Sequence, residues 1–167
     1  MLNGEGRTNY ELVTRKSFVW SFGNNSNKEL GLKQELNHNA VPRNPVGSQK
    51  NMVNISCGYK HSGMVSLEGK VYMAGNNLSQ KLGLSYDELN DVRKFSEVVN
   101  ISECEEDPDR KVVEVACSFS HTMALLEDGR VLCWGGSLGD KLGHKILDER
   151  TRYKAVPIEN YTYKKAM

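Results

Sequence analysis

The sequence predicts an all-β fold made of small antiparallel sheets that stack on one another. Three observations predict it. Residues 56–84, SCGYKHSGMVSLEGKVYMAGNNLSQKLGL, recur without a gap as residues 116–144, ACSFSHTMALLEDGRVLCWGGSLGDKLGH, so that His61 falls on His121, Gly75 on Gly135 and Gly83 on Gly143. A worn third copy, residues 4–32, precedes them, with Gly6 on Gly58, Gly23 on Gly75 and Leu30-Gly31-Leu32 on Leu82-Gly83-Leu84. Within each copy, short apolar runs alternate with glycine turns. A repeat of roughly fifty residues of this kind marks a propeller or a β-array.

The elements follow in chain order. The first copy predicts a hairpin near 10–22, whose second strand, Val19-Trp20-Ser21-Phe22, stops at Gly23. The second copy predicts strands near 52–57, 61–67 and 70–75, and the third near 112–117, 121–127 and 130–135. Val53, Ile55 and Cys57 alternate with Asn54 and Ser56, which is period two with one face buried. Val113, Val115 and Cys117 repeat the pattern. Glu68-Gly69 and Asp128-Gly129 read as tight hairpin turns, where glycine tolerates positive φ. The Pro/Val segments 41–46 and 156–158 suit short outer strands. Helix is expected to be minimal, one turn near 86–92. The expected core comprises Ile55, Cys57, Val71, Leu82, Val113, Val115, Cys117, Val131 and Leu142. A sheet of three or four strands cannot bury its own apolar face, so each unit must stack on a neighbour.

The recurring string V-x-x-C-G-x-x-H-[ST]-x-x-L-x-x-[DE]-G-[KR]-V-Y-x-[WA]-G-x-N, followed by L-G-L, resembles the repeat of the regulator of chromosome condensation family. Cys57, Gly58, His61, Ser62, Gly69, Val71, Tyr72, Gly75, Asn77, Leu82 and Gly83 match it position by position. Cys117, His121, Thr122, Gly129, Val131, Trp134, Gly135, Leu142 and Gly143 do so in the third copy, where Ser118 replaces the first glycine. The first copy has Glu5 for the cysteine, Asn9 for the histidine and Ser17 for the turn glycine. The resemblance implies a seven-bladed β-propeller fold, of which this chain is a partial arc of antiparallel three- to four-stranded blades. Residues 1–167 then form a single partial propeller domain, with units of about 4–51, 56–111 and 116–160.

Composition excludes several classes. The 22 basic and 21 acidic residues leave a net charge of +1, which gives no electrostatic footprint for nucleic acid. No apolar run approaches the ~18 residues of a membrane span. Of the four cysteines, Cys57 and Cys117 occupy equivalent positions, Cys133 sits in an apolar strand and Cys104 in a polar loop. No C-x-x-C occurs, so no zinc site is expected, and buried thiols fit an intracellular, reducing compartment: cytoplasm, nucleus or an organelle.

No catalytic constellation, cofactor motif or metal set is recognisable, and no enzymatic chemistry is expected. His61 and His121 fall one per repeat and read as blade-turn histidines bonding backbone groups. The family's ultraviolet-B photoreceptors carry G-W-R-H-[ST] at that turn; Tyr59 and Phe119 stand here instead. The longer spacing between the last two copies falls in 85–111, read as a solvated excursion. Its acidic core, Glu103, Glu105, Glu106, Asp107 and Asp109, is a candidate docking loop for a basic partner. Phe119 and Trp134 are candidate contacts on an open C-terminal blade, with the N-terminal edge expected to be more solvent-tolerant. The function expected is a non-catalytic interaction or scaffold module whose partners are other proteins or missing blades. The alternative that the resemblance implies is guanine-nucleotide exchange on a Ran-type small GTPase once the propeller is complete.

Overall fold

The structure, a computed structural model, describes residues 2–3, 9–13, 18–33, 36–46, 51–84, 91–98, 111–136, 138, 141–143 and 156–157. The chain is all-β. Among the described residues three four-stranded antiparallel sheets follow one another, each with its strands adjacent in chain order. The first holds β1 (Leu2–Asn3), β2 (Asn9–Val13), β3 (Val19–Asn24) and β4 (His38–Arg43). The second holds β5 (Met52–Cys57), β6 (His61–Ser66), β7 (Val71–Gly75) and β8 (Val92–Glu97). The third holds β9 (Val112–Cys117), β10 (His121–Leu126), β11 (Val131–Gly135) and β12 (Val156–Pro157). The Pro/Val segments thus contribute the outer strands β4 and β12.

The sheets stack face to face, and the two seams are the core. In the first seam Val19 meets Met52, Ile55, Met64, Tyr72, Ala74 and Phe95. In the second, Val65, Val71, Met73, Leu82, Leu84 and Val98 meet Val112, Val115, Cys117, Ala124, Leu126, Leu132 and Trp134. The strand period of two divides each sheet into an incoming and an outgoing face. In the second sheet Tyr72 and Ala74 face back to the first sheet, while Val71 and Met73 face forward to the third. Burying a side chain of this size contributes about 1.5–3 kcal/mol, so the seams hold the stack together.

One expected core residue lies outside. Val113 is exposed, as is its counterpart Val53, and Met52 and Val112 are buried in their place. The register explains it. Met52 pairs with Ser66 and Asn54 with Val65, leaving Val53 unpaired; Val112 pairs with Leu126 and Glu114 with Leu125, leaving Val113 unpaired. Both first strands carry a bulge at the same repeat position, which breaks the simple alternation. Val131 is only half-buried. It lies on the outgoing face of the third sheet, where no further described sheet covers it, whereas its counterpart Val71 is sealed in the seam.

The segment 85–111 is not wholly an excursion, since 92–97 forms β8, the outer strand of the second sheet. Phe95 is buried there, its N–H donating to Val46 O at 3.1 Å, and its ring lies against Gly31, where a Cβ would stand 2.5 Å from it. Of the turn expected near 86–92, residues 85–90 lie outside the described residues and Val92 opens β8. A single 3-10 turn occurs earlier, at Leu78–Gln80.

Candidate functional site: the second seam and its rim

The second seam is fastened by polar groups at repeat-equivalent positions. Strand β9 turns the N–H groups of Val115 and Cys117 away from β10. Asn54 Oδ1 accepts the first at 3.0 Å and Ser56 Oγ the second at 2.9 Å, both from the second sheet. Left unmade, the buried Cys117 donor would cost about 1–3 kcal/mol and the part-buried Val115 donor less.

At the end of the seam, His61 Nε2 lies 3.2 Å from Thr122 Oγ1. The Thr122 hydroxyl donates to Lys81 O at 2.7 Å, so its one proton is committed and Nε2 of His61 must be the donor. Trp134 Nε1 donates to the same Lys81 oxygen at 3.1 Å. His61 Nδ1 stands 3.2 Å from the backbone oxygen of Tyr59, which can only accept, so with Nε2 donating to Thr122 this second contact is a hydrogen bond only when the ring carries both protons. The ring leaves no room for a side chain at Gly58, where a Cβ would come 2.6 Å from Nδ1. In the third sheet Ser118 takes the place of that glycine, and His121 is half-buried, its Nδ1 without a hydrogen-bond partner among the described residues. Burial, with Lys141 adding to it, holds the His121 imidazole below its usual range.

Lys81 is buried, and its Nζ donates to Tyr59 O at 2.9 Å. Burial pushes its ammonium down to about 8, and the Lys60 charge acts in the same direction. Glu29 holds the matching position in the first sheet, buried, its carboxyl raised by desolvation and its Oε2 accepting the Asn27 N–H at 2.7 Å. Burial also pushes the Cys133 thiol up to about 12.

Above the seam the turns form a rim. Tyr59 and Phe119 stack with ring centroids 4.3 Å apart and planes 9° from parallel. They are 48% and 66% exposed. The Lys60 ammonium sits 5.1 Å from the Tyr59 ring centre. The loops after β7 and β11 reach the same rim, because Asn76 N–H donates to Lys60 O at 2.7 Å and Gly136 N–H to Ser120 O at 2.8 Å. They carry Leu78 and Leu138, 72% and 89% exposed, at equivalent repeat positions. The pairing of Leu78 with Leu138 was present in the repeat alignment and is the signal that would have found this rim.

The candidate residues separate. Phe119 is on the rim. Trp134 is not a surface contact: it is fully buried, because period two turns it toward the second sheet while Val131 and Cys133 take the outgoing face. Glu103, Glu105, Glu106, Asp107 and Asp109 lie outside the described residues. The N-terminal edge is less polar than expected, with Phe18 exposed and Trp20 37% exposed. Trp20 borders a shallow cavity of about 400 Å³ with Leu32, Pro42, Arg43 and Val46. Among the described residues, no group of three His, Cys, Asp or Glu is placed to hold a metal ion, and no helix is long and apolar enough to cross a membrane.

The Regulator of chromosome condensation (RCC1) repeat matches residues 18–65 and again 112–138. Protein pim1 of Schizosaccharomyces pombe is 28% identical over 134 residues, covering 78% of this chain and 24% of its own length. A bifunctional serine/threonine-protein kinase/NEDD4-like E3 ubiquitin-protein ligase of Dictyostelium discoideum is 29% identical over 143 residues, 80% of this chain and 8% of that protein. The chain thus spans less than a third of either relative. Human WBSCR16 superposes with a TM-score of 0.75 at 20% identity, over 91% of this chain and 37% of that one. Yeast RCC1 (Prp20), solved bound to Kap60, gives 0.76 at 19% identity, over 92% and 36%. The stacked sheets are therefore propeller blades in a partial arc, and two stretches of the chain match the regulator of chromosome condensation repeat.

Proposed function

We propose that the chain is a non-catalytic protein-interaction module, a subunit or fragment that scaffolds a larger assembly. One observation carries the reading: two pairs of equivalent positions, Tyr59 with Phe119 and Leu78 with Leu138, are exposed together on one rim. Tyr59 and Phe119 pack on each other across the blades and still leave about half or more of each ring in water, Leu78 and Leu138 are more exposed again, and exposed apolar clusters mark association surfaces. The whole chain, 1–167, acts as one partial propeller domain with units of about 4–51, 56–111 and 116–160. The acidic segment Glu103–Asp109 offers a second contact, for a basic partner. Cys57, Cys117 and Cys133 are buried, which suits a reducing compartment such as cytoplasm or nucleus.

Guanine-nucleotide exchange on a Ran-type GTPase is the second reading. Its support is the fold shared with Prp20p of Saccharomyces cerevisiae, solved in work on that protein's binding to Gsp1p and histones. One set of samples tests both readings. The chain is added to a Ran-type GTPase loaded with fluorescent GDP, and release is timed; the interaction reading expects no acceleration, and a rate raised about tenfold or more would replace it with exchange. Sedimentation velocity of the chain alone, with the GTPase and with core histones expects a species heavier than 18.8 kDa in at least one arm. A free monomer in every arm contradicts an assembly role.

A further inference from the structure

We propose that the rim of Tyr59, Phe119, Leu78 and Leu138 takes an extended segment of a protein partner in which carboxylates alternate with aromatic or aliphatic anchors, with Lys60 as its charge contact. The proposal rests on the interaction reading above and names the partner's chemistry.

The platform is apolar and rigid. Two rings from neighbouring blades are held parallel at 4.3 Å, and Phe119 keeps most of its surface in water. Stacked rings accept aliphatic or aromatic side chains with little loss of rotamer freedom, which is why such residues anchor interfaces. The first copy has Arg7 and Ser26 at the matching positions, so the apolar rim belongs to the second and third blades alone.

The charge beside it is positive. Lys60 places its ammonium over Tyr59 from a backbone at φ +65°, a left-handed conformation that a residue with a Cβ adopts at a cost. Lys81 lies beneath Tyr59, and Lys141 holds the equivalent place in the third repeat. Among the described residues the carboxylates acting on Lys81 are Asp91, which accepts from Asn76 Nδ2 at 2.8 Å, and the buried Glu29. Lys81 is already bonded to Tyr59 O, so the charge beside the rings that a ligand can meet is the Lys60 ammonium, which favours an acidic one.

The rim also holds unmet polar groups. Gln80 Oε1, Ser120 Oγ and His121 Nδ1 are the buried side-chain atoms without a hydrogen-bond partner among the described residues, and all three lie at this end. Gln80 follows Ser79, and both sit at left-handed φ, 58° and 64°.

The probe is a fluorescein-labelled, end-blocked peptide alternating glutamate with phenylalanine and leucine, titrated into the chain by anisotropy. A peptide with lysine for glutamate, a labelled RNA and vesicles of anionic lipid serve as the other arms. The expected result is saturable binding of the acidic peptide, weakened about tenfold or more by Phe119→Ala and by Lys60→Glu, and unchanged by Trp20→Ala on another face. Phe119 is exposed and Lys60 half-buried, and a thermal melt matching the parent verifies that the variants fold. Binding of the acidic and basic peptides alike, no saturable binding, insensitivity to both rim variants, or preference for RNA or vesicles would each overturn the proposal. A failed peptide arm beside a heavier species in the sedimentation arms above leaves the interaction reading standing and removes only the rim.

Discussion

His61 of the second blade reaches across the seam to Thr122 of the third, Nε2 to Oγ1 at 3.2 Å, and Thr122 passes its own proton back to Lys81 O of the second blade. Each blade thus both gives and receives a bond at one threonine. Thr122→Val keeps the shape and removes both bonds, leaving the buried His61 donor unmet. The expected loss is about 1–3 kcal/mol. Thr122→Ser should stay near the parent, since Ser62 fills the same repeat position in the second blade. Urea unfolding followed by circular dichroism decides it, and a Val variant as stable as the parent would refute the link.

The two tryptophans should differ in emission. Trp134 is sealed in the seam and Trp20 is partly in water. Trp20→Phe should leave a blue-shifted spectrum and Trp134→Phe a red-shifted one. Trp134→Ala should also cost about 3–5 kcal/mol, as for other large side chains cut from a core. Identical emission maxima in the two Phe variants would contradict the assigned faces.

The bulges make a paired prediction. Val53→Ala removes an exposed side chain and should change stability by less than about 0.5 kcal/mol. Met52→Ala, one residue earlier, should cost about 2–5 kcal/mol. Equal costs would mean that the register of β5 is wrong.

Lys81 gives a pH dependence. Its ammonium is pushed down to about 8 in the fold, while an unfolded lysine titrates at 10.5. Between those values the unfolded chain binds more protons, so stability from this group rises with pH from about 8 to 10.5 and is flat below. Cys133 opposes it, because its thiol is held protonated in the fold up to about 12 and the unfolded thiol ionises first. The difference between the parent and Lys81→Met isolates the lysine. It should shrink from pH 8 to pH 10.5 if the variant is the more stable at pH 7; parallel curves would rule out the burial of that charge.

Much of the blade plan was legible in the sequence because the repeat fixes spacing. Gly75 and Gly135 end β7 and β11, and Glu68-Gly69 and Asp128-Gly129 turn the hairpins where expected. What the sequence hid were departures from strict alternation. Nothing in a run of apolar residues marks the bulges at Val53 and Val113. The outer strand at 92–97 was masked by its charged residues, Arg93, Lys94 and Glu97, since an edge strand buries little beyond Phe95. At the rim Phe119 was legible as a lone aromatic in a polar turn. The burial of Trp134 was legible as well, since period two alone separates it from Val131 and Cys133.

The central claim is that successive blades are fastened by side chains of one blade on the backbone of the next. Amide hydrogen exchange at Val115 and Cys117 tests it most directly. Both N–H groups point away from β10, and Asn54 and Ser56 accept them. The account predicts strong protection at both amides, lost at Val115 in Asn54→Ala and at Cys117 in Ser56→Ala, while the β10-paired amides stay protected. Exchange at Val115 and Cys117 as fast as at an open strand edge would contradict it.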